Sequence, residues 1–130
     1  MDINIWAVLV ASLAKFGIGF LWYSPYLFGA LWMKDVGLSQ DKLSSPNRSM
    51  IIAAVMGFII ALTIAVVINL GNFDLLQSLA LGGLLATGLM AAQMAPQLAF
   101  EERSFRLYSI YAGQYIVEIV VIAAIIGGWR

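Results

Sequence analysis

The sequence predicts an all-α integral membrane protein, a four-helix transmembrane bundle that makes one domain of residues 1–130. Three observations carry this. Of 130 residues, 62% are hydrophobic and 11% charged, where soluble domains carry about 25% charged residues. The apolar residues fall into four runs near the ~20 residues that a bilayer core requires. Backbone groups in lipid must also be bonded within their own segment, which makes these runs helices and not strands.

The first span covers residues 3–23. It follows Met1-Asp2 with no basic leader, and no small-residue cleavage site comes after it, so it reads as a retained span and not a signal peptide. Pro25 pushes the residue before it out of the helical region and discourages further helix. Residues 25–35, PYLFGALWMKD, are too short to span and too apolar for a free loop. They read as an interfacial or shallow re-entrant segment.

The second span, 46–69, opens at Ser45-Pro46, with Ser as N-cap and Pro in the first turn, and stops at Gly71. Asp74 and Gln77 have capping-box spacing and open the third span, 75–96. So short a connection forces spans two and three into an antiparallel hairpin. Glu101-Glu102-Arg103 precedes the fourth span, 105–127, which Gly127-Gly128 ends. Lys34, Lys42, Arg48, Arg103 and Arg106 lie in the loops of one side, and Arg130 alone on the other. That bias puts both termini on the non-cytoplasmic side. Trp6 and Trp129 then mark the outer interface; Trp22, Tyr23 and Trp32 mark the inner one.

Lys15 and Glu118 are the chemically telling residues, because Lys15 is the one charge in residues 3–23 and Glu118 the one charge in residues 107–128. A charge near mid-bilayer is disfavoured by about 2.5–3.5 kcal/mol and usually faces a partner or a wet cavity. At 1.5 Å per residue, Lys15 lies ~18 Å from Ile3, Glu118 ~15 Å from Gly128 and Thr87 ~18 Å from Leu75. Helical spacing aligns Ser12 with Lys15, and Tyr111, Gln114 and Tyr115 with Glu118. The expected polar core is therefore Lys15, Glu118, Gln114, Ser12 and Thr87, with Tyr111 and Tyr115 on the same face. Two readings stand side by side: a structural ion pair that fixes helix register, and an ion or proton site with Glu118 as the titrating group. Tyr108, Tyr111 and Tyr115 read as packing residues with satisfied hydroxyls.

Small residues recur every four positions at Ala53, Gly57, Ala61 and Ala65, and at Gly83, Thr87, Ala91 and Ala95. Such stripes let helices approach closely, here within the two–three hairpin or between copies. Met50, Met56, Met90 and Met94 read as gap-fillers.

Other classes find no support. Net charge is zero, so no basic field for nucleic acid exists. With neither Cys nor His, the usual metal ligands and general base are missing, and neither a metal nor a cofactor site is expected. No Gly-rich phosphate loop or nucleophile–base set occurs, which leaves an enzyme only Asp, Glu, Lys and Tyr chemistry.

Trp22-Tyr23-Ser24-Pro25, followed by Leu27-Phe28-Gly29 and Leu31-Trp32-Met33, resembles the opening of the domain-of-unknown-function 1761 family. Ala95-Pro96, Phe100-Glu101, Arg103, Ala112-Gly113 and Gly128-Trp129 extend the likeness over nearly the whole chain. The resemblance implies a small four-span protein of a bacterial inner membrane, with no family catalytic set. It also implies a polar residue after the Ala-Gly of the last span, where Gln114 stands. Lys15 and Glu118 depart from the apolar or small residues of the family pattern. Function is expected to be an oligomeric transporter or channel for a small solute or ion. The alternative is a structural or accessory subunit of a larger membrane complex. Either way the partners are the lipid bilayer and further membrane chains.

Overall fold

The computed structural model describes residues 2–38 and 47–129. The expected Ser45-Pro46 cap, Lys42 and Arg130 lie outside the described residues. Five helices follow in order: α1 (Ile5–Trp22), α2 (Gly29–Val36), α3 (Asn47–Gly71), α4 (Leu75–Phe100) and α5 (Phe105–Gly128). All but α2 are long and apolar enough to cross a membrane.

Local chemistry sets the helix ends. The Asn4 side chain caps α1 by accepting from the amides of Trp6 and Ala7, and Ser104 caps α5 through the Leu107 amide. Asp74 and Gln77 form the expected capping box reciprocally. Asn72 turns the chain between α3 and α4 in the left-handed region, at φ 50°, which Asn tolerates better than most residues.

α5 is the centre of the bundle. It packs along α1 on one side and α4 on the other, while α3 lies mainly against α1. The core joins Val8, Ala11, Ala61, Ile64, Ile68, Ile119 and Ile122, all buried. Large side chains cover the outside, such as Leu13, Leu76, Leu84 and Phe100. In water this would be one continuous aggregation surface; in lipid it is the ordinary exterior.

Two packing expectations are corrected. The hairpin of α3 and α4 is not tightly packed: the two helices diverge, with a crevice of about 190 Å³ lined by Ile60, Ile64, Leu85 and Met90 between them. The stripe of α3 instead receives α1, and a Cβ on Gly57 would touch the Lys15 stem at 3.5 Å. The buried stripe of α4 is Ser78, Gly82, Ala86 and Ala91; of the expected Gly83, Thr87, Ala91 and Ala95, Ala91 alone is buried. Gly82 meets Ala123 and Gly127 meets Ser78 across the α4–α5 contact. The step from Ala86 to Ala91 is five residues because Leu85–Ala91 is a π-helical turn, which adds one residue and rotates the following face.

That wide turn also accounts for a third difference. The helix does not stop at Pro96 but runs on to Phe100. Wide turns relieve the backbone strain around a proline in membrane helices, and the Tyr108 hydroxyl donates to the Ala91 carbonyl, 3.1 Å, where the register changes back. Met50 and Met56 point outward and fill no core gap.

Candidate intramembrane ion-pair site

α1 has 18 residues, about 27 Å, against about 36 Å for the 24 residues of α5. It therefore ends short of the α5 N-terminus, about a quarter of the way along α5. The Trp22 indole donates to the Ile110 carbonyl, 2.9 Å, and lies over Gly113, where a Cβ would come within 3.1 Å of its ring. A tight turn follows: the Ser24 carbonyl accepts from Leu27 and Gly29. Gly29 is required there, because a Cβ would stand 2.4 Å from the Tyr23 carbonyl oxygen. α2 then continues antiparallel to α5. Trp32 donates to the Tyr111 hydroxyl, 3.1 Å, and Asp35 takes two bonds from Arg106, the Nε one at 2.9 Å. The first strip of helix beside α5 is thus broken in two. The break lies ~8–14 Å in from the α5 N-terminus, between the levels of Ile110 and Gln114. Trp22, Tyr23 and Trp32, expected as markers of the inner interface, all face α5 at this break.

Just beyond it sits the ion pair. Lys15 Nζ is 3.4 Å from Glu118 Oε1; the Lys15 side chain is 16% exposed and that of Glu118 2%. Gln114 Nε2 is 3.3 Å from both Glu118 oxygens. Its own Oε1 accepts a hydrogen bond from the Tyr23 hydroxyl, which fixes the amide orientation. Gly19 makes room: a Cβ there would lie 3.2 Å from Glu118 Oε2. Ser12 faces the same part of α3 as the Lys15 stem, with its Oγ 4.0 Å from the Cβ position of Gly57.

A cavity of about 350 Å³ reaches the pair between α1, α2, α3 and α5. Lys15, Glu118 and Gln114 supply its charged and amide groups; Phe16, Phe20, Tyr23 and Trp32 supply rings. Of its lining residues Phe20, Ser49, Met50 and Ala53 are exposed. A second recess, about 730 Å³, opens at the opposite end among Asp2, Asn4, Asn69, Asn72 and Trp129. Buried Val8, Ala61, Ile64, Ile119 and Ile122 separate the two.

Of the residues expected to form a polar core, the structure brings together Lys15, Glu118, Gln114 and Ser12, with Tyr111 behind Trp32. Thr87 does not join them: it is exposed and bonded to the Gly83 carbonyl of its own helix, 2.7 Å, because the true packing face of α4 lies one residue away. Tyr115 lines a different crevice, beside Gln93, Met94 and Gln97. Tyr23 belongs to the site and not merely to the turn. Its spacing of four from Gly19, and of eight from Lys15, is the sequence signal for it. Phe16, Phe20 and Trp32 carry no signal short of the fold. Among the described residues no cluster suited to a metal ion occurs.

Four apolar helices around an inward-facing charge pair mark the chain as a small multi-pass membrane protein. It belongs to a family described as "Protein of unknown function (DUF1761)", whose profile matches residues 6–127. No curated protein and no solved structure matches it.

Proposed function

We propose that this protein is a carrier for a small solute or ion, with Glu118 as coupling acid and Lys15 as its internal counter-charge. The observation behind this is the cavity lined by both Lys15 and Glu118, which leaves the Lys15 head partly exposed beside a nearly buried carboxylate midway along its helix. A purely structural ion pair would be expected to be sealed by close packing, whereas intramembrane acids at cavities mark ion and proton pathways. The buried plug at Ile64 and Ile122 favours one-sided access over a continuous pore. The break between α1 and α2 supports the same reading, since carriers place their sites at interrupted helices. The Lys and Arg bias supports termini outside the cytoplasm of a bacterial inner membrane, with the Ser49 end of the cavity toward the cytoplasmic side.

The test is proton flux into proteoliposomes under a valinomycin-clamped potential. Wild-type vesicles are expected to acidify faster than empty ones, and Glu118→Gln vesicles to match the empty control. Wild-type flux equal to that of empty vesicles overturns the reading. One observation favours the alternative, a subunit of a larger assembly: Gly83 and Gly88 meet nothing within 4 Å and Thr87 stands exposed between them. Co-purification with a larger membrane protein, together with no flux, would decide for it.

A further inference from the structure

We propose that the cavity beside Lys15 and Glu118 binds an amphipathic organic cation, one ammonium group on an apolar body, which takes Glu118 over from Lys15. This deepens the carrier reading and rests on it for its physiological sense, although binding is measured separately.

The resident contacts of Glu118 are loose. Charge-assisted N–H to carboxylate bonds run about 2.7–2.9 Å, while Lys15 stands at 3.4 Å and Gln114 at 3.3 Å. A carboxylate offers about four lone-pair sites, so a nearly sealed Glu118 has unused acceptor capacity facing a cavity. The two charges are also unequal in mobility. Glu118 is 2% exposed and backed by Gln114 and Gly19; Lys15 is 16% exposed on a flexible four-carbon stem that crosses Gly57. Lysine stems of this kind swing their heads toward water. Lys15 is therefore the partner that can leave.

That asymmetry selects the sign of the ligand. An anion would have to take Lys15 and strand a buried carboxylate, which is strongly unfavourable. A cation takes Glu118 and releases the partner that can rehydrate. The remaining walls suit an apolar cation: Phe16, Phe20, Tyr23 and Trp32 line the cavity, and the Tyr23 and Trp32 rings pack at 5.2 Å, tilted by 57°. Aromatic walls attract ammonium groups through the ring quadrupole. The volume, about 350 Å³, lies within the roughly 300–1,000 Å³ of small-molecule sites.

The experiment is calorimetric titration of the full chain in nanodiscs with benzylammonium, whose N–H groups can bond the carboxylate, and with phenylacetate as the anionic counterpart. Saturable binding of the cation is expected, weakened at least about tenfold by Glu118→Gln and also by Trp32→Leu. Lys15→Met is expected to bind more tightly than wild type, because the internal competitor is gone. Lys15→Gln repeats that arm if the Met variant does not assemble, and the Glu118 and Trp32 arms decide even if neither does. No saturable cation binding, or binding unchanged in Glu118→Gln, overturns the proposal. So does phenylacetate binding that Lys15→Met abolishes. Cation binding without proton flux would sink the carrier reading and leave this site standing; flux without cation binding would do the reverse.

Discussion

Lys15→Met and Glu118→Gln are expected to be unequally costly, and the inequality follows from exposure. Lys15→Met leaves Glu118 sealed, with only the 3.3 Å contacts from Gln114. Breaking a buried pair from that side costs about 3–5 kcal/mol. Glu118→Gln leaves an ammonium that can extend its stem into the cavity, so its cost is nearer the ~1–3 kcal/mol of an under-satisfied polar group. In Lys15→Met/Glu118→Gln neither charge remains, and replacing a buried pair by neutral groups of similar size is often close to neutral. The double variant should therefore be more stable than Lys15→Met, with an interaction term of about 2 kcal/mol or more. The assay is reversible unfolding in mixed micelles titrated with dodecyl sulfate, followed by circular dichroism. If Glu118→Gln costs as much as Lys15→Met, the mobility argument fails. If the two changes add within about 0.5 kcal/mol, the residues are not coupled at all.

Three further outcomes are expected. Gly82→Ala should lose about 1–3 kcal/mol, because its Cβ would stand 2.9 Å from that of Ala123; Gly83→Ala, with open space around it, should gain up to about 1 kcal/mol. The same unfolding assay reads both, and equal effects would refute the α4 register. Gly29→Ala, whose Cβ would press on the Tyr23 and Ser24 carbonyls at 2.4 and 2.8 Å, should cost about 3 kcal/mol, the top of the overpacking range, and displace Trp32; unchanged tryptophan emission and stability would count against the tight turn. Hydrogen bonding from Arg106 holds the Asp35 carboxyl below the usual carboxylate range, with the Arg106 and Lys34 charges acting the same way. A depressed folded value gives stability that is present above the unfolded value of about 3.9 and is lost as pH falls through the folded one. Protease cleavage next to α2 should thus rise on acidification below pH ~4 in the wild type, and be high at every pH in Asp35→Asn.

The charge pair was legible because single charges stand out in apolar runs, and depth arithmetic alone put Lys15 and Glu118 level. The capping box at Asp74 was legible because capping is a contact between residues three apart. Packing partners were not. A stripe of small residues shows that some helix comes close without saying which, and α3 turned out to receive α1. The α4 face was misread by one residue because a π turn leaves no mark in four-residue spacing, and Thr87 went with it. The sequence reads Trp22 to Pro25 as the end of a span because about 20 residues fit a bilayer; that this end packs against α5 is visible only in the fold.

The contact between α1 and α5 sets a timetable for synthesis. Glu118 is made 103 residues after Lys15. At ~5–20 residues per second, the first span waits on the order of five to twenty seconds for its counter-charge. During that wait nothing in the finished helices neutralises it, so α1 must linger at the membrane surface, in the insertion machinery, or with its lysine stretched toward headgroups. The pair thus cannot close before α5 is made, and a chain truncated ahead of α5 would carry a visible defect, a bare charge at mid-span, for quality-control proteases to find.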